Sequence, residues 1–84
     1  MKIYFKEGAY RDLKKLDVNI RKRILKKLKY YSSQQNFLLY AEKLVDSRLG
    51  EYRLRIGDYR VLFDVDGDKI IILKIGHRKD VYKK

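Results

Sequence analysis

The chain has 84 residues, 45% of them hydrophobic and none of them cysteine, which allows one small domain with one core and excludes a disordered chain, a disulfide framework and a thiolate metal site. Lys and Arg number 22 against 11 Asp and Glu, a formal net charge of +11; unless a lysine-rich proteome simply scatters lysines over every surface, that excess predicts attraction to a polyanion, nucleic acid first, or to an acidic protein partner. No signal peptide or membrane span is readable in the apolar runs, so a cytoplasmic protein that does not engage a membrane is expected.

KIYF, Lys2 to Phe5, reads as a short first strand. Ala9, Leu13 and Leu16 follow at i, i+4, i+7 and predict a short amphipathic helix after Gly8. Asp17 either closes that helix or caps the next. From Asn19 to about Tyr31, Ile20, Ile24, Leu28 and Tyr31 form an apolar stripe with Leu25 beside it; Arg21, Lys22, Arg23, Lys26, Lys27 and Lys29 fill the opposite face. The pair is expected to form an αα-hairpin with its apolar faces free to pack on a sheet. Ser32 to Asn36 is a polar break, and Phe37 to Leu44 is read as a helical turn or two. Three strands are then predicted, Glu51–Ile56, Tyr59–Val65 and Lys69–Ile75. Gly57-Asp58 is the two-residue turn of the first hairpin, and Asp66-Gly67-Asp68 joins the second. IIIL, Ile70 to Leu73, is apolar on both faces, as suits an interior strand. The order β-α-α-β-β-β predicts one α+β domain over residues 1–84, with the helices on one face of a mainly antiparallel sheet.

Strand alternation sets Tyr52, Leu54 and Ile56 on one face and Arg53 and Arg55 on the other. The Gly57-Asp58 turn then puts Arg55 directly across from Arg60. At about 5 Å such a pair repels by roughly 1 to 3 kcal/mol for dielectrics of about 80 to 20, so the face gains from a visiting anion. The register of the second hairpin decides what joins it. A two-residue turn at Asp66-Gly67 brings Ile71 and Leu73 beside the arginines. A three-residue turn brings Ile70, Ile72 and Lys74, and continued past Gly76 it brings Arg78 as well; this second register, which groups the charges, is the expected one.

Most catalytic templates are missing. His77 stands alone, with no HxxH-type pair or carboxylate cluster to hold a metal, and no Gly-rich phosphate loop or GxSxG is present. The arginines could be a solvated strand face paired with Glu51 and Asp64, His77 a strand-end residue bonded to backbone, and Tyr82 an aromatic covering the core edge. Against that, the planar donor fork of arginine suits phosphate oxygens. The residues themselves lead to a metal-free phosphate site with one histidine and one tyrosine nearby, and leave RNA cleavage and nucleic-acid binding both open.

EYRLRIGDYRVLFDV, followed by IIILKIGHRKDVY, closely resembles the core pattern of the RelE/ParE superfamily of toxins from type II toxin–antitoxin modules; RDLKKL, Arg11 to Leu16, fits the first helix of the same pattern. On its RelE side the resemblance implies a cofactor-free and metal-free endoribonuclease that cuts mRNA in the ribosomal A site. There the ribose 2′-hydroxyl attacks the adjacent phosphate, leaving a cyclic phosphate and a 5′-hydroxyl. Carried over by position, Arg53 and Arg55 match the basic pair of one strand and Arg60 the phosphate-stabilising arginine of the next. Arg78 matches the arginine near the leaving group, and Tyr82 the tyrosine that orients the substrate; Lys74 and Lys79 join the phosphate-binding set. Well-known bacterial members carry lysines where Arg53 and Arg55 stand, and arginine is a poor proton acceptor. The base role therefore passes to His77, to Lys74 or Lys79, or to ribosomal RNA, with His77 first because it titrates in the useful range. The implied partners are a cognate RelB-like antitoxin in a hetero-oligomer, the ribosome and mRNA. With two residues after Tyr82, no long C-terminal helix is expected, and the antitoxin would cover the sheet face or the helices directly. The ParE branch shares the fold and is associated with DNA gyrase inhibition, while a non-catalytic nucleic-acid-binding module is the further alternative.

Overall fold

A computed structural model describes residues 1–83. Its elements run β1 (Lys2–Phe5), α1 (Glu7–Lys15), α2 (Val18–Ser32), a 3-10 turn (Phe37–Tyr40), β2 (Glu42–Lys43), β3 (Tyr52–Ile56), β4 (Tyr59–Asp66) and β5 (Lys69–His77). The α+β order is as expected, with one strand more. The segment read as helical from Phe37 to Leu44 is a single 3-10 turn, after which Glu42 and Lys43 pair antiparallel with Arg53 and Tyr52. Two residues are too few for a period, so this strand exists through its partner alone.

Both helices start where simple chemistry starts them. Glu7 occupies the first turn of α1 and Lys14 and Lys15 the last, complementing the helix dipole. Gly8 falls inside this helix instead of preceding it. Asp17 caps α2 rather than closing α1: its carboxylate accepts the Asn19 amide at 2.8 Å. Ala9, Leu13, Ile24 and Leu28 are buried from the helical side, while the Lys and Arg side chains of α2 from Lys22 to Lys29 stay exposed. No helix among the described residues is long and apolar enough to cross a membrane.

The sheet has five strands in the order β1-β5-β4-β3-β2, with β1 parallel to β5 and every other pairing antiparallel. Leu54, Ile56, Val61, Phe63, Ile70, Ile72 and Ile75 face the helices and form the core with them. Phe63 is its centre, with Tyr52 stacked at 5.5 Å and Phe37 at 5.3 Å between ring centroids.

The second hairpin corrects the expected register. Asp66 pairs with Lys69 around Gly67-Asp68, and Gly67 takes a positive φ of 61°, a conformation glycine adopts without a Cβ clash. Asp64 then lies opposite Ile71, and Val65 opposite Ile70. Ile70 and Ile72 thus turn into the core, not towards the arginines. A bulge between Leu62 and Phe63 shifts the pairing, so that Leu62 faces Lys74 and Arg60 faces Gly76. Lys74 reaches the expected face, but through the bulge rather than through a three-residue turn.

Candidate functional site

Arg53 and Arg55 alternate outward from β3 exactly opposite in sense to Leu54 and Ile56, whose burial anchors the strand. The Gly57-Asp58 turn is tight, with Gly57 at φ 59°, and it sets Arg55 across from Arg60 as expected. The repulsion of that pair is relieved within the chain. Arg60 folds back so that Nη1 donates to the carbonyls of Gly57 and Tyr59, both at 2.9 Å. Arg55 turns the other way, and its Nε lies 2.7 Å from Oε1 of Glu42. Arg53 donates through Nη2 to Oε2 of the same carboxylate at 3.0 Å. Glu42 therefore grips two guanidinium groups with its two oxygens. The Arg53 hydrogen bond, reinforced by the charges of Arg53, Arg55 and Arg60, holds the Glu42 carboxyl below its ordinary range.

The C-terminal turn folds back over this same face. Val81 packs against Gly76, where an added Cβ would lie 3.4 Å from that of Val81. Val81 and Leu62 are both fully buried, yet neither belongs to the core beneath the helices. This seat delivers Tyr82, whose hydroxyl accepts a hydrogen bond from Arg53 Nη1 at 2.9 Å. The Arg53 guanidinium also lies 6.0 Å from the centre of the Tyr82 ring. Bonded to Tyr82 first and Glu42 second, Arg53 is held even more firmly in its charged form. Its Nε is buried without a partner among the described residues, an arrangement that costs about 1–3 kcal/mol and that the flanking bonds must sustain. Lys74, across from Leu62, donates to the Lys83 carbonyl at 3.0 Å and ties down the end of the turn.

Arg78 sits beside the β3–β4 turn: its amide donates to the Asp58 carbonyl at 2.8 Å, and its Nε is 3.8 Å from Asp58 Oδ1. It therefore stands at the end of the sheet where Arg55 and Arg60 meet. His77 does not join them. It pairs with Tyr59, a residue packed against the core on the helical side, and the two rings meet edge to face at 5.5 Å. Its Nδ1 accepts the Lys79 amide at 3.1 Å, while Lys79 itself is exposed in the turn. The structure thus sets Arg53, Arg55, Arg60, Lys74 and Tyr82 on one face with Arg78 at its end beside Asp58, and separates His77 from them because one residue of strand alternation decides the side. Sequence reasoning missed Glu42, which no local pattern marks, and Asp58, which reads as a turn residue.

Geometrically this is a small cationic α+β domain whose helix-free sheet face sets guanidinium groups around the Glu42 carboxylate, with a phenol at one side. Over residues 3–82 it matches the family model described as ParE toxin of type II toxin–antitoxin system. It is 36% identical to Toxin RelE3 of Methanocaldococcus jannaschii, across 98% of this chain and 96% of that protein. Among solved structures it is similar to the RelB-RelE antitoxin–toxin complex from Methanococcus jannaschii, at 32% identity and a TM-score of 0.64 over 93% of each chain. It is also similar to the RelBE2 toxin–antitoxin complex from Mycobacterium tuberculosis, at 26% identity and a TM-score of 0.76 over 92% of this chain and 96% of that one. The chain belongs to the RelE/ParE superfamily of type II toxin–antitoxin toxins.

Proposed function

We propose that this protein is the toxin of a toxin–antitoxin pair and a ribosome-dependent mRNA endoribonuclease, working in the cytoplasm and neutralised by a RelB-like antitoxin. The observation that carries this reading is that Arg53, Arg55 and Arg60 share one sheet face, with Tyr82 bonded to Arg53 and Arg78 standing at the adjoining β3–β4 turn. The names of the similar toxins, RelE3 and RelE, support it. In this reading the ribose 2′-oxygen bonds to phosphorus, the bond to the 5′-oxygen breaks, and the products carry a cyclic phosphate and a 5′-hydroxyl. Arg60 and Arg55 stabilise the charge that gathers on the phosphoryl oxygens. Arg78 stands by the leaving oxygen, and Tyr82 and Arg53 orient the strand. Guanidinium groups do not accept protons. Lys74, a base candidate that shares the arginine face, takes the 2′-hydroxyl proton here once its nitrogen, which now donates to the Lys83 carbonyl, is neutral, and the 5′-oxygen takes its proton from water.

The test is a primer-extension map of one mRNA incubated with the protein, with and without programmed ribosomes. Cuts that need ribosomes, fall at A-site codons and vanish in Arg78→Ala are the expected result. No cuts in either tube would refute the reading. The second reading, gyrase inhibition, is favoured by the ParE name of the matching family model; a supercoiling assay separates the two.

A further inference from the structure

The anion expected on the arginine face is already there, and it belongs to the protein. Glu42 places one carboxylate oxygen on Arg53 and the other on Arg55, at 3.0 and 2.7 Å, which is the forked arrangement that two phosphate oxygens would use. It is carried by a strand of only two exposed residues at the sheet edge, so it can leave without disturbing the core. Glu42 itself remains nearly half exposed.

We propose that Glu42 is a specificity-determining residue that occupies the phosphate seat of Arg53 and Arg55 and excludes RNA that is not held in place by another body. The inference rests on the reading of this face as an RNA site. A tethered carboxylate competes at a high effective concentration. A loose RNA strand must displace it and then gains little, because one ion pair replaces another and few counterions are released. A strand already fixed in register brings its phosphate to the seat without the orientational cost, and displaces Glu42. Weak engagement of free RNA thus follows from one side chain rather than from a lack of positive charge.

The experiment measures binding of a fluorescein-labelled single-stranded RNA oligonucleotide by anisotropy over a series of salt concentrations, for the full chain, Glu42→Gln and Asp68→Asn. Asp68→Asn makes the same change in net charge in the β4–β5 turn, at an exposed residue. Glu42→Gln is expected to bind several-fold more tightly at low salt. Its slope of log affinity against log salt should steepen by about 0.7 to 1.4, as one or two guanidinium groups become free to release counterions. Asp68→Asn should leave the slope unchanged. If Glu42→Gln binds no more tightly than Asp68→Asn, the guard is overturned, and net charge alone accounts for any gain. Circular dichroism of each variant checks the fold, and Glu42→Ala repeats the measurement with no side chain left to bond the arginines. Ribosome-dependent cleavage by the parent protein with unchanged Glu42→Gln binding would refute the guard alone. Tighter Glu42→Gln binding with no cleavage would refute the nuclease reading alone.

Discussion

Replacing Gly76 by valine sets two rules against each other. Gly76 lies within β5, where β-branched residues are favoured over glycine by up to about 1 kcal/mol, so strand preference alone predicts a more stable protein. The structure predicts the reverse. A Cβ at Gly76 would touch Val81 at 3.4 to 3.5 Å, an ordinary contact, and the two further methyl groups of valine, reaching beyond that Cβ, are expected to push Val81 away. Exposing the Val81 side chain, now 1% accessible, costs about 1.5 to 2 kcal/mol. Tyr82 would move with it, and losing its hydrogen bond from Arg53 adds roughly 0.5 to 1.5 kcal/mol. The net expectation is a loss of about 1 to 2.5 kcal/mol once strand preference is credited. At about 4–8 °C per kcal/mol for a domain of this size, the midpoint should fall by roughly 5 to 20 °C. Gly76→Ala, which adds only the tolerated Cβ, should stay within about 1 kcal/mol of the parent. Urea titration followed by circular dichroism gives the stabilities. Hydrogen exchange of the Val81 amide, which donates to the His77 carbonyl at 2.9 Å, reports whether the turn has lifted. A Gly76→Val protein as stable as the parent, with that amide still protected, would refute the account of the C-terminal seat.

Three further outcomes are expected. Ile24→Ala removes a side chain with no exposure at the centre of the helix–sheet interface and should cost about 2–5 kcal/mol in denaturant unfolding; a loss below 1 kcal/mol would mean the interface closes around the gap. Asp17→Ala deletes the acceptor of the Asn19 amide and should lower stability by about 1 kcal/mol, with Asp17→Asn or Asp17→Ser largely restoring it. Stability should also fall on acidification. Glu42 and Asp46 titrate below their ordinary values of 4.5 and 3.8, each held down chiefly by hydrogen bonds to arginine, so the unfolded chain binds protons first. Their contribution is present above those ordinary values and is lost as pH falls through the lowered ones. Urea midpoints measured across the acid range should show this, and Glu42→Gln should flatten part of the decline.

The sequence by itself determined what depends on neighbours within a turn or two of chain. The helical spacing of Ile20, Ile24 and Leu28, the alternation of Arg53 and Arg55 with Leu54, and the Gly57-Asp58 turn each carry their own period or backbone requirement. They were therefore enough to set Arg55 against Arg60 on the face away from the helices. Tertiary structure decided what depends on pairing across the sheet. Glu42 meets Arg53 from eleven residues away on a strand too short to have a period. The bulge at Leu62/Phe63 keeps Lys74 with the arginines while Ile70 and Ile72 turn inward, and His77 falls on the side of Tyr59 because a shift of one residue reverses every side chain. Tyr82 reaches Arg53 from a turn whose Val81 packs on Gly76, a pairing fixed by the long-range fold. Local chemistry chose the charges of the site; long-range register chose which of them face one another.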